Sequence, residues 1–214
     1  MTQLWNRQSQ LFEPAELFDR IHAADVTCFQ NHWLPPMQAK IDELKLAGQY
    51  NRQTVSQWNL EDAHWGWPAK FQSRAGQLQW ASYALRCSGM TQGLMFINLV
   101  YRCRLPSQLN QHMLYVDLVS TAPWNRPRFT PNPLYGGVGM VLVTEAILRS
   151  EDEGFDGRVG LHSLPGAETL YRDKLGMDCL GPDPAYSGLL YFEMTPQRAA
   201  QLLALLTSKT GGTV

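Results

Sequence analysis

The chain has 214 residues, 44% of them apolar and 17% charged, with a formal net charge of −1. That length fits one domain, and the apolar share supplies a core, which excludes a disordered body. No run of Lys or Arg exceeds two residues, so there is no electrostatic case for nucleic acid, and no apolar stretch approaches membrane length.

The first stretch, residues 1–78, reads as helices and loops. Leu17, Phe18, Ile21 and Ala24 share a helical face with Pro14 near its start, Pro35-Pro36 breaks the chain, and Met37, Ile41 and Leu44 form a second stripe ending at Gly48. The tryptophan-rich segment from Trp58 to Gly76 has no clear period. From Gln79 the pattern changes. Gln79 to Cys87 and Leu94 to Cys103 suit strands around the turn residues Ser88 to Gly93, and His112 to Ser120 is a third strand. A proline-rich loop from Pro123 to Pro133 leads into Tyr135-Gly136-Gly137-Val138-Gly139, which opens a helix reaching about Asp152. In that helix Leu142, Val143, Ala146 and Ile147 face inward, and Glu145, Arg149 and Asp152 form the wet side.

A strand from Arg158 to His162 follows, then a helix from Pro165 to Leu175, and strands near Met177 to Leu180 and Leu189 to Met194. The last helix has Thr195 as N-cap and Pro196 at its first position, with Ala199, Leu202, Leu203 and Leu206 inward. Residues 79–207 therefore predict a β-β-β-α-β-α-β-β-α core, with 208–214 a flexible tail.

The four cysteines, Cys28, Cys87, Cys103 and Cys179, and the five histidines show no metal spacing, so no metal is expected. The opening residues lead into no apolar signal region, which together with free thiols predicts a cytoplasmic protein. The glycine turn is a candidate anion site: glycine lets backbone approach phosphate oxygens, and the first helical N–H groups lack intrahelical partners. Plain tight packing is the alternative. A P-loop is excluded, since no Gly-Lys-Ser/Thr follows.

Three pieces in order resemble the GNAT superfamily of N-acyltransferases. Leu134-Tyr135-Gly136-Gly137-Val138-Gly139 occupies the place of that family's Q/R-x-x-G-x-G/A pyrophosphate loop, with Leu134 where a polar residue stands in the family. A strand from Met113 to Pro123 precedes it. The segment from Ala167 through Tyr171 to Leu175-Gly176-Met177 matches A-x-x-x-Y-x-x-L-G-F/M. The implied fold is α+β: a mixed, splayed sheet with a helical N-terminal extension that shapes the acceptor site.

The resemblance implies acetyl-CoA or another acyl-CoA as co-substrate, in a cleft between the His112–Ser120 and Arg158–His162 strands. Backbone of Val119, Ser120 and Thr121 would hold the pantetheine arm. N–H groups from Tyr135 through Gly136, Gly137, Val138 and Gly139 to Met140 would take the pyrophosphate, beside Leu134. Ser163 stands where many members have Asn. Tyr171 would protonate the departing thiolate. Asp117, or a water it holds, would take the proton from the attacking amine, and His162 is the alternative base.

Each has a plainer structural role beside it: a core tyrosine, a bonded carboxylate, a satisfied histidine. Trp58, Trp65, Trp67, Trp124 and Asn125 line an acceptor pocket or simply pack, and Cys87, Cys103 and Cys179 fill space. The acceptor is an amine-bearing small molecule or protein, and a homodimer stays open. A toxin-like enzyme acting on charged tRNA would call for a basic face, which the net charge disfavours. A catalytically silent CoA-binding or interaction module on the same fold is the rival reading.

Overall fold

The computed structural model describes residues 2–210. Its strands are β1 (Gln3–Asn6), β2 (Leu11–Phe18), β3 (Trp80–Cys87), β4 (Met90–Arg102), β5 (His112–Thr121), β6 (Tyr135–Gly136), β7 (Val159–Ser163), β8 (Asp178–Asp183) and β9 (Leu189–Glu193). The helices are α1 (Ala23–Cys28), α2 (Leu34–Leu46), α3 (Arg52–Gln57), α4 (Trp67–Arg74), α5 (Val138–Asp152) and α6 (Pro196–Thr210). Pairing is mixed, β5 with β7 parallel and β1–β2, β1–β6, β2–β3, β7–β9 and β8–β9 antiparallel. The architecture is α+β.

The chain divides into two compact units. The first holds the described residues up to Phe96 with Leu118–Leu142, the second Ile97–Asp117 with the described residues from Val143. In the first, strands follow the order β6-β1-β2-β3-β4, and the helices bury an aromatic core. Trp33 and Trp67 are fully buried there, Trp67 stacks on Phe96 at 5.6 Å, and Trp58, Trp65 and Trp124 pack against the same cluster. In the second the order is β4-β5-β7-β9-β8, and Ala199 and Leu202 are the buried positions of α6.

Local signals explain much of this. Ser88 (φ 51°) and Gly89 (φ 73°) join β3 to β4 as a two-residue turn with both φ values positive, the form that matches the twist of a hairpin. The strand resumes at Met90, earlier than a turn running to Gly93 would allow. Leu142, Val143, Ala146 and Ile147 of α5 are all buried, as the periodicity predicts. Arg198 N–H donates to Thr195 Oγ1 at 3.3 Å, so Thr195 caps α6.

Four expectations fail. Residues 3–18 form the β1–β2 hairpin, with Gln3 opposite Pro14, and Leu17 and Phe18 lie against Leu85 and Ala84 in the β2–β3 ladder; the apparent helical face at Leu17 and Phe18 is half of a strand whose partner lies far along the chain. Pro35-Pro36 does not break the chain. The two prolines occupy the first turn of α2, where a missing N–H costs no bond, and a π-helical turn, Phe29–Trp33, joins α1 to α2. Pro165 to Leu175 is a 3₁₀ turn, Pro165–Ala167, then a π turn, Leu170–Lys174, rather than one α-helix. Finally, α6 runs to Thr210, into the expected tail, of which residues 211–214 lie outside the described residues.

One two-bond ion pair of the first unit has both partners buried. Arg126 pairs with Asp62 through two 2.7 Å bonds, Nη1 to Oδ1 and Nη2 to Oδ2, and gives Nε to Thr121 O at 2.8 Å and Nη1 to Asn59 O at 2.6 Å. Removing one member leaves an uncompensated buried charge, which costs about 3–5 kcal/mol. Arg126→Met alone should therefore lower the unfolding free energy by about 3 kcal/mol in urea titration, and joint replacement of both residues by apolar ones should restore part of it.

Candidate functional site

The glycine turn is fixed from behind and open in front. Gly137 has φ +87°, a conformation that excludes most side chains, and no atom lies within 4 Å of where its Cβ would stand. The first intrahelical bond of α5 is Val141 N–H to Gly137 O at 2.9 Å. The amides of Val138, Gly139 and Met140 therefore precede the helical ladder and point along the positive end of the helix dipole. Behind them, a Cβ on Gly93 would meet Leu142 Cδ1 at 2.7 Å and Val138 Cγ1 at 2.8 Å, so glycine at 93 is what lets the helix start seat this closely.

A relay of amides holds the turn in place. Gln92 Oε1 accepts from Trp124 Nε1 at 2.8 Å and from Asn125 Nδ2 at 2.9 Å, while Asn125 Oδ1 accepts from Tyr135 N–H at 2.9 Å. Leu134 N–H donates to Trp124 O at 2.8 Å. The N–H groups of Leu134 and Tyr135 are thus occupied, and Gly136 is paired with Trp5 in the β1–β6 ladder. The Tyr135 side chain is buried, and its hydroxyl donates to Glu13 Oε2. That bond, with those from Asn6 and Ser88, holds the Glu13 carboxyl below its usual range.

β5 and β7 pair through Leu114↔Val159, Tyr115↔Gly160 and Val116↔Leu161. Both strands run past the last of these pairs, β5 to Thr121 and β7 to Ser163, and His162 and Ser163 pair with Tyr191 and Leu190 of β9. Of the three expected pantetheine contacts, the Ser120 hydroxyl donates to Asp62 and the Thr121 carbonyl accepts from Arg126. Val119 is half-buried.

In the second unit, Tyr171 is buried in the π turn, with its ring 5.9 Å from that of Phe192. Burial alone pushes its phenol well above the ordinary value, so it is a proton donor, not an anion, at neutral pH. Asp117 is half-buried. Its charge helps keep the Tyr115 phenol protonated. Ser163 is buried, and its hydroxyl bonds Leu164 O at 2.8 Å.

His162 belongs to a network that spacing in the sequence does not reveal. Its Nε2 lies 2.9 Å from Asp183 Oδ2, Tyr115 Oη lies 2.6 Å from Nδ1, and the ring stacks on Tyr186 at 3.7 Å. Arg104 Nη1 donates to the same Asp183 oxygen at 2.5 Å, and Tyr101 Oη meets Tyr186 Oη at 2.8 Å. The Arg104 bond, then the His162 bond, hold the Asp183 carboxyl down at about 2. An ionised Asp183 assigns the imidazole proton to Nε2 and leaves Nδ1 to accept from Tyr115. Burial lowers the His162 pKa more than Asp183 raises it. Both ring nitrogens are engaged by protein groups.

No family model matches the chain, and no curated protein matches it in sequence. Solved structures do match. A bacterial toxin superposes with TM-score 0.55 at 12% identity, over 90% of this chain and 96% of that one. FeeM, an N-acyl amino acid synthase from uncultured soil microbes, gives 0.52 at 9% identity, over 91% and 97%. A mutant AtaT toxin bound to the C-terminus of the antitoxin AtaR gives 0.51 at 11% identity, over 89% and 98%. The chain has the GNAT fold.

The glycine turn stands at the start of α5, and the Ala167-to-Met177 segment lies in the turns between β7 and β8 rather than on the expected helix. Gly137→Ala should cost about 1 kcal/mol in urea unfolding, since the strain is in φ and no neighbour is met. Gly136→Ala should cost less, because only the movable end of Arg7 is in the way.

The His162 shift sets an acid dependence. Its folded pKa lies below the ordinary 6.5, so the unfolded chain takes the proton first and stability falls as pH drops below about 6.5. Asp183 contributes stability that is present above its ordinary 3.8 and lost as pH falls through about 2. Between pH 7 and pH 5 the urea midpoint of His162→Gln should fall less than that of the parent protein; equal losses would remove His162 from this role.

Proposed function

We propose that the chain is an N-acyltransferase that moves an acyl group from acyl-CoA to an amine acceptor by direct attack in a ternary complex. The observation that carries this reading is the glycine turn: on a GNAT fold, Gly137 opens α5 with an unobstructed approach to amides that precede the helical ladder. Those amides suit a pyrophosphate in number and direction. β5 past its last β7 partner offers backbone for the pantetheine arm.

For the chemistry, Tyr171 donates a proton to the thiolate as the C–S bond breaks. Burial keeps the phenol protonated at neutral pH, the state that a general acid needs. Asp117, or a water it holds, takes the proton of the attacking amine as the C–N bond forms. Both His162 nitrogens are engaged by protein groups, which argues against that residue as the base. A backbone N–H near Val119 stabilises the oxyanion.

Tyr171→Phe should lower kcat by about 100-fold or more, within the range of general-acid effects, and leave acetyl-CoA affinity within about twofold of the parent. Stopped assays for free CoA with a panel of amines, beside calorimetry with acetyl-CoA and longer acyl-CoAs, measure both. Binding with no turnover of any amine would favour a silent CoA-binding module, and unaltered turnover in the variant would take Tyr171 out of the mechanism.

A further inference from the structure

A cavity of about 640 Å³ lies between the β1–β2 hairpin and the proline-rich loop, lined by Trp5, Arg7, Gln8 and Gln10 and by residues 131–133. Its volume falls in the range of small-molecule sites, roughly 300–1,000 Å³. One of its walls belongs equally to the glycine turn. A Cβ on Gly136 would stand 3.3 Å from both Nε and Nη2 of Arg7, Arg7 N–H donates to Leu134 O at 2.8 Å, and Trp5 pairs with Gly136 across the β1–β6 ladder.

The chemistry of the lining is specific. Trp5 is half-buried, edge-on to Phe12 at 5.1 Å, and presents an indole to the cavity. Arg7 brings an exposed guanidinium, the group that grips phosphate oxygens in pairs. Gln8 and Asn132 bring amides able both to donate and to accept, and Gln10, whose Nε2 donates to Arg7 O at 2.6 Å, brings a carbonyl oxygen. Asn6, between Trp5 and Arg7, gives its own amide to Glu13 at 2.6 Å, which commits that carboxylate's Oε1 to the protein. An aromatic face, one fixed positive charge and three amides beside a diphosphate cradle describe a receptor for a phosphorylated purine nucleoside.

We infer that this cavity receives the 3′-phosphoadenosine end of CoA, with Trp5 against adenine and Arg7 paired with the 3′-phosphate. The inference rests on acyl-CoA occupying the glycine turn, and it assigns the nucleotide end to the added N-terminal hairpin. Neither Trp5 nor Arg7 belongs to the segments that resemble the GNAT superfamily.

Calorimetric titration of the full chain with CoA and with 3′-dephospho-CoA tests it. The parent protein should bind CoA about tenfold more tightly than the dephospho form. Arg7→Gln should weaken CoA about tenfold, leave 3′-dephospho-CoA within about twofold, and so erase the discrimination. Trp5→Leu should weaken both ligands and also adenosine 3′,5′-bisphosphate, with melting temperature checked because Trp5 packs on Phe12. Parent binding of CoA that Arg7→Gln leaves unchanged, or equal weakening of the two ligands, overturns the inference while acyl-CoA at the glycine turn stands. Failure of the parent to bind either ligand overturns both.

Discussion

The buried pair of Arg126 and Asp62 is the contact on which the organisation of the first unit depends. A guanidinium there holds three pieces of chain at once: the segment at Asn59 and Asp62, the end of β5 at Ser120 and Thr121, and the start of the proline-rich loop. Charge is expensive to bury, and this one is tolerated because carboxylate and carbonyl oxygens surround it. From Arg126 the chain runs to Asn125 on one side and toward the glycine turn on the other. The same anchorage therefore sets where Asn125 accepts from the Tyr135 N–H and where α5 begins.

The two units divide the proposed chemistry. The first carries groups suited to holding an anionic carrier: backbone amides, a glycine in a conformation few residues tolerate, and a guanidinium beside it. In the proposed mechanism the second supplies Tyr171 as the donor and Asp117 as the base, and the His162 network takes no part in the proton transfer. Its ionisable groups are protected by stacking and burial, with Tyr101 and Tyr115 rings 4.2 Å apart and Tyr101 pushed up to about 12. A cluster of that kind keeps its phenols neutral and its imidazole oriented across ordinary pH. The rigidity suits positioning better than proton exchange with an acceptor.

What the sequence disclosed follows from the range of each signal. Helix α5, its inward face, the Thr195 cap and the Ser88-Gly89 turn are decided by residues within a few positions of one another, and periodicity and glycine placement report them. The β1–β2 hairpin is decided by pairing with β3 and β6, and no local pattern carries that information. Its strongest helical clue, Leu17 with Phe18 and Ile21, mixes a strand with the loop after it. Likewise the amide relay from Gln92 through Asn125 to Tyr135 joins residues that have no common spacing. Tyr115 and Asp183 flank His162 only because β5 neighbours β7 on one side and β9 and then β8, which ends at Asp183, follow on the other. Tyr171 was visible as part of a motif, yet the π turn that carries it was not, because the segment satisfies an α-helical pattern equally well.

Gly93 has a consequence for how this protein can diverge. The space its absent side chain leaves is filled by Val138 and Leu142, so even one added methyl would push the start of α5 outward by a fraction of its own width. A descendant that acquired alanine there would have to shrink both neighbours at once, a jump that single mutations rarely make. Residues 131–133, facing solvent-accessible space, carry no such lock. Lineages descended from this chain would then drift freely in the loop while the glycine under the helix stays fixed.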